Sequence, residues 1–290
     1  MKSLVAMVFI FGTAHCFAQS IFPVLSPKGR LEQNIGSTII TVDYERPAAR
    51  GRKVFGELVQ YDQLWRTGAG HSTRFSFSKP VQIGNKKIPG GTYSLLTIPG
   101  KESWTVILNK DTTLYGLGSY DEKLDIHRFK TEAEHTDRFY ESLTIDLDVV
   151  PNNAMVYLAW ESTRISFMVE TETDHAAHEF IQKHLLTSAS KDPDEYALAA
   201  EYYFYLDKDL NQALLLIDKA IVIKNEAWYY RQKVDILEKQ GKYQDAIDCA
   251  AHFISLIQRR DDWDLKTRQE NENEYKTRIE MLKRRQKQMD

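Results

Sequence analysis

Near Thr171 the hydrophobic period of this chain changes from two residues to that of a helix, and no single sheet or bundle accommodates both. From Leu31 to about Glu170 apolar and polar residues alternate. Ile40, Val42 and Tyr44 alternate with Thr41 and Asp43, Phe75 and Phe77 flank Ser76, and Trp104, Val106 and Leu108 form a third set. Leu143, Ile145, Leu147 and Val149 are set against Ser142, Thr144, Asp146 and Asp148. Segments 154–162 and 164–170 read as a final pair of strands around a Glu161-Ser162-Thr163 turn. Gly84-Asn85, Pro89-Gly90-Gly91, Pro99-Gly100 and Pro151-Asn152-Asn153 punctuate the rest. About seven to nine short strands without long intervening helices predict an antiparallel β-sandwich over 19–170.

After Thr171 the apolar residues fall at helical spacing. Thr173 or Asp174 is expected to cap a helix holding Phe180, Ile181, Leu185 and Leu186, so 171–192 reads as a connecting helix and linker. Asp192 or Pro193 starts the next helix. Two helix pairs then follow, with Leu210, Ala213, Ile217 and Ala220 answered about 33 residues later by Tyr243, Ala246, Ala250 and Phe253. With the phrase Gly241-Lys-Tyr-Gln-Asp-Ala-Ile247, this spacing resembles a pair of tetratricopeptide repeats. Departures are Glu201, where a small residue is usual, and Asn225, where proline often closes a unit. Two units are fewer than a stable solenoid needs, so the flanking helices, including one within Arg259–Asp290, are expected to cap the stack. The fold class is therefore α+β multidomain: an N-terminal antiparallel β-sandwich, then a tetratricopeptide-like helical region at 193–290.

The N-terminus carries a signal peptide pattern over residues 1–18: Lys2, then an apolar run from Leu4 to Phe11, then Cys16-Phe17-Ala18 as the cleavage site. Modification of Cys16 as a lipoprotein asks for small residues directly before it, where this chain has His15. A periplasmic or secreted protein is expected, with no later transmembrane span. Removing residues 1–18 leaves Cys249 alone, so no internal disulfide is expected and apolar packing must carry stability. The 15 Tyr, 13 Phe and 5 Trp exclude a disordered chain, and a net charge of -3 argues against a nucleic-acid partner.

One stretch interrupts the alternation. Arg46, Arg50, Arg52 and Lys53 crowd together, and Trp65-Arg66-Thr67-Gly68-Ala69-Gly70-His71 follows. Arginine forks suit a carboxylate, phosphate or sulfate, and Trp65 offers a flat face for stacking, which makes Arg46, Arg50, Arg52, Trp65, Arg66, Thr67 and His71 the candidate ligand-binding set. The alternative is structural, with guanidiniums satisfying loop carbonyls and Trp65 plugging the core. Arg46-Pro47, Gly51-Arg52, Val54-Phe55-Gly56, Trp65 to Ala69, Gly91-Thr92-Tyr93 and Pro99-Gly100 resemble a family of exported bacterial proteins catalogued as a domain of unknown function (number 2911), over roughly 26–170. Members carry a proline where this chain has Gln60 and an Asn-Glu pair where it has Gly70-His71. The resemblance implies export and a shared fold, and supplies no reaction.

Other constellations are weaker. His175, His178 and Glu179 share a helical face, but His184 lies outside zincin spacing, so no metal site is expected. Asp121, Glu122 and Asp125 lack calcium-loop spacing, and Ser188 to Lys191 matches Ser-x-x-Lys without companion motifs. No catalytic residues and no cofactor are assigned. The functional expectation is a non-enzymatic binding or adaptor protein. Its sheet domain would hold an anionic small molecule or polymer, and its helices a protein or peptide partner. The alternative is a hydrolase-type periplasmic enzyme on an anionic envelope substrate, using Arg46, Arg52, Arg66 and His71.

Overall fold

The computed structural model describes residues 22–187 and 190–288. The signal-peptide reading (1–18) and the first half of the Ser188–Lys191 motif lie outside these residues. The chain divides into two units, Met1–Asp148 with Ala154–Val169, and Val149–Asn153 with Glu170–Asp290.

The first unit is built on nine antiparallel strands: β1 (Lys28–Ile35), β2 (Thr38–Glu45), β3 (Thr73–Phe77), β4 (Val81–Ile83), β5 (Lys86–Ile88), β6 (Gly91–Ile98), β7 (Ser103–Asn109), β8 (Asp125–Val150) and β9 (Asn153–Thr171). Their order is β1-β2-β3-β6-β7-β8-β9-β4-β5. Two hairpins turn on two-residue loops that begin with glycine at positive φ, Gly36 (53°) and Gly84 (59°), the geometry that matches strand twist.

Alternation decides what each strand buries. Ile40, Val42, Tyr44, Phe75, Phe77, Leu95, Trp104, Val106 and Leu108 enter one core with Leu143, Ile145, Leu147, Trp160, Ile165 and Phe167. Val149, expected on the same face, is exposed. On the opposite face of β6 and β7, Leu96 and Ile107 meet Leu114 in a small second cluster, so the 110–121 segment covers that half of the sheet.

Two sequence expectations change here. The turn expected at Glu161–Thr163 is absent: β9 runs unbroken from Asn153 to Thr171. Glu161 absorbs the irregularity with φ 51°, and its carboxylate accepts the Val54 N–H at 2.8 Å. Strand β8 reaches 26 residues, far beyond the alternating segment that began at Ser142.

The second unit has six helices: α1 (Thr173–Phe180), continued by a π-helical turn over Ile181–Leu186, α2 (Pro193–Tyr205), α3 (Leu210–Ile223), α4 (Ala227–Lys239), α5 (Tyr243–Ile257) and α6 (Leu265–Gln286). Asp192, Asp209 and Asp264 cap α2, α3 and α6 through their carboxylates. Pro193 opens α2, where its missing N–H costs nothing. The cap expected from Thr173 or Asp174 does not form, since Glu172 occupies the N-cap position and makes no side-chain capping bond there. Asp174 instead accepts from Asn152 (2.6 Å), Tyr202 (2.5 Å) and Lys208 (2.9 Å), tying the β8–β9 turn to α1 and α2. Tyr275 and Leu282 of α6 are buried beside Phe253 of α5, which makes α6 an integral wall of the bundle. Among the described residues no helix is long and apolar enough to cross a membrane.

Candidate functional site

Three of the four arginines in the 46–72 loop donate to backbone carbonyls. Arg46 Nε donates to the Leu143 carbonyl (3.1 Å) and Nη2 to Thr144 Oγ1 (3.2 Å). Arg52 donates to Ala49 O (3.0 Å) and Ala48 O (2.8 Å), and Arg50 Nη2 to Leu25 O (2.5 Å). Arg66 is half-buried, and its buried Nε has no partner among the described residues. Trp65 points into the core. Its ring stacks on Trp160 at 5.8 Å between centroids and meets Phe55 and Trp104 edge-on, while Nε1 donates to Gly68 O at 3.1 Å. Thr67, also buried, shares a hydroxyl contact of 3.0 Å with Thr97. The flat face expected to stack a ligand is thus occupied by protein; Arg52 closes carbonyls of its own loop, while Arg46 and Arg50 reach carbonyls outside it.

His71 has a different setting. On the outward side of β1–β3, Lys28, Asp43, Glu45 and Arg74 form the floor of a cleft of about 210 Å³. Its wall is His71, Ser72 and Thr112. Of the seven candidate residues only His71 lines it.

The wall is fixed by backbone bonds between two loops, Ser72 N–H to Leu114 O and Gly116 N–H to Gly70 O, both 3.0 Å. Ser72 Oγ lies 2.6 Å from Ser94 Oγ, which donates to Asp111 O at 2.7 Å, so that serine is committed to the scaffold. His71 Nδ1 stands 3.5 Å from Glu45 Oε1, and the exposed Tyr115 ring meets the imidazole edge-on at 5.1 Å. Both oxygens of Asp43 accept from Arg30 Nη1 at 3.2 Å. Lys28 and Arg74 have neither ion pair nor hydrogen bond from their side chains among the described residues.

The motif set quoted above and this sheet coincide with one match. Residues 26–169 match the family model Protein of unknown function (DUF2911). The DUF2911 match ends where the first unit ends, at Val169, and leaves the helices outside it. No curated protein and no solved structure matches the chain.

Sequence reasoning missed the four charged residues of the cleft floor, Lys28, Asp43, Glu45 and Arg74. The outward parity of Asp43 and Glu45 on β2 and of Arg74 on β3 was readable. The pairings that gather them, Lys28 opposite Glu45 and Asp43 opposite Arg74, depend on register.

The remaining candidates have structural partners. Asp121 caps a short 3₁₀ turn, and Asp125 receives Tyr120 (2.7 Å), Arg128 (2.8 Å) and Asn109 (2.7 Å). Burial, then the bond to Asp125, pushes the Tyr120 phenol up to about 12. His178 Nδ1 lies 3.0 Å from Tyr203 Oη, Glu179 pairs with Lys183, and His184 packs on Phe180. Cys249 is buried, and desolvation raises its thiol to about 12, which suits a structural thiol rather than a nucleophile.

Proposed function

We propose that this is an exported binding protein whose helices hold a segment of another protein. In this reading α2/α3 and α4/α5 are tetratricopeptide-like pairs capped by α6. A polar ladder of constant step supports it. Tyr229 donates to Asp194 (2.5 Å), Gln232 to Ala197 O (2.9 Å) and Lys239 to Phe204 O (3.1 Å), each across 35 residues. Such a repeat of one contact is what stacked units produce. Ala213 and Ala246, both fully buried, occupy equivalent places in α3 and α5.

The observation that carries the function is a groove of about 600 Å³ along α3, where Leu215, Val222 and Ile223 stay exposed beside Leu214, Tyr196 and Lys219. Val222 is 86% exposed although it lies within a helix of a folded unit. Leu215 and Val222 are one heptad apart, roughly 10 Å along the axis, so the occupant is a partner helix with apolar residues at the same spacing. Asp218 and Lys219 between them leave the groove electrically balanced, which favours an apolar anchor over a charged one.

The sheet unit, in the same proposal, is a two-layer sandwich. The segment after β2 pairs with the middle of β8 (Ala49 N–H to Glu141 O, 2.7 Å), and the Tyr44 hydroxyl reaches Ile145 N at 3.2 Å, as expected if β8 folds back over β2. A hydrolase would have needed Arg46, Arg52 and Arg66 beside His71, and these arginines do not line its cleft.

Selection of displayed amphipathic peptides against the purified protein tests the helical groove. Enriched peptides should carry apolar residues at seven-residue spacing and lose binding to Leu215→Asp and Val222→Asp proteins that melt within a few degrees of the parent. Enrichment that survives both substitutions overturns the proposal.

A further inference from the structure

We infer that the outer-face cleft of β1–β3 is a binding site for a small molecule carrying an oxyanion, a carboxylate or a phosphate. The inference does not depend on the helices taking a partner.

Charge accounting across the cleft comes first. Asp43 is engaged by Arg30 at 3.2 Å, and Glu45 Oε1 lies 3.5 Å from His71 Nδ1. The two cations, Lys28 and Arg74, are unengaged among the described residues, and the Thr112 hydroxyl is equally free. Lys28 and Arg74 therefore offer charged donors to an occupant, and Thr112 a hydroxyl. Within the lining Lys28 and Arg74 balance Asp43 and Glu45, while Arg30 outside it divides its guanidinium between Asp43 (3.2 Å) and Glu32 (2.9 Å), so Lys28 and Arg74 keep their donors for an occupant. An oxyanion satisfies such a set, since the Arg74 fork matches its paired oxygens and the Lys28 ammonium supplies a point charge.

Shape comes second. At about 210 Å³ the cleft is smaller than the roughly 300–1,000 Å³ of pockets for drug-sized ligands, so the occupant is a few-carbon acid or a phosphate. The site is also preformed. Gly70 lies so close to Glu45 that a methyl group there would fall 2.5 Å from Oε2, and the Ser72–Ser94–Asp111 chain anchors the opposite wall. Little ordering is left for binding to impose. Lys28 and Arg74 are exposed, so affinity should fall with added salt.

The test is titration calorimetry on the full mature chain at low salt, with inorganic phosphate, succinate and the neutral polyol erythritol as separate probes. Saturable one-to-one binding of phosphate or succinate is expected, with none of erythritol, and the preferred probe tells phosphate from carboxylate chemistry. Arg74→Gln and Lys28→Gln should each weaken binding at least fivefold. Arg30→Gln should also weaken it, because it frees the Asp43 charge without removing a cleft donor. Should Arg74→Gln fail to fold, Lys28→Gln at the start of an edge strand gives the same reading. Absence of saturable binding by either anion up to 10 mM (about the weakest affinity such a site would have), equal binding of erythritol, or binding unchanged by Lys28→Gln and Arg74→Gln overturns the inference.

Discussion

Gly70 and Glu45 sit in mutual contact: Gly70 has φ 61°, and a Cβ at this position would lie 2.5 Å from Glu45 Oε2 and 2.9 Å from Oε1. Both backbone conformation and space require glycine, which places the loop before His71 against β2. Gly70→Ala should cost about 1–3 kcal/mol, measured by urea unfolding. Pairing it with Glu45→Ala should recover the steric part and leave only the backbone part. Equal costs in both backgrounds would mean that the carboxylate does not set the loop.

Trp65→Ala should destabilise by about 3–5 kcal/mol, because it empties the centre of the Phe55, Trp104 and Trp160 cluster. Denaturant unfolding of the sheet unit, followed by near-ultraviolet circular dichroism, checks this. A loss below about 1 kcal/mol would favour the ligand-stacking reading of Trp65 over the core plug.

Arg46→Lys should lower stability by about 1 kcal/mol, since lysine cannot serve Leu143 O and Thr144 Oγ1 together in the same geometry. Oxyanion binding at the cleft should be unchanged in the same variant. Reduced anion affinity with unaltered melting would restore Arg46 to the ligand site.

Tyr229→Phe removes one rung of the inter-helix ladder, the hydroxyl bond to Asp194 at 2.5 Å. Burial and then Asp194 raise the Tyr229 phenol well above its ordinary value, so the proton stays on tyrosine as donor. The expected cost is about 1–2 kcal/mol in thermal or chemical unfolding of the helical unit. A neutral substitution would remove one support of the repeat reading.

Asp174 supplies a pH dependence. Burial opposes its charge, but bonds from Tyr202, Lys208 and Asn152 outweigh that and hold its carboxyl below the usual range. A lowered folded pKa gives stability that is present above the unfolded value, about 3.9, and is lost as pH falls through the folded value. The stability gap between the parent and Asp174→Asn should therefore be larger at pH 7 than at pH 3. A gap that widens on acidification would contradict the sign.

The mixed fold was readable because alternation and helical spacing are local patterns, and β9 does end at Thr171, where the period changes. The first half of β8 was not, because its residues from Lys130 to Tyr140 are largely exposed and polar, with no buried face to impose alternation. Glu161 looked like a turn because its polar neighbours break the apolar run, yet a long paired strand tolerates one residue at positive φ. Arginine clustering was visible, but its targets, carbonyls nearly a hundred residues away such as Leu143 O, were not. The cleft needed the β1–β2–β3 register, which sets which outward charges become neighbours.

The most direct test of partner binding by the α3 groove places a photoreactive amino acid at Val222, and separately at Phe139 as an exposed position in the sheet unit, in cells that make the protein. Irradiation should yield a discrete crosslinked species from Val222 that disappears with Leu215→Asp, and none from Phe139. No crosslink from Val222, or the same species from both positions, would contradict a partner held in the α3 groove.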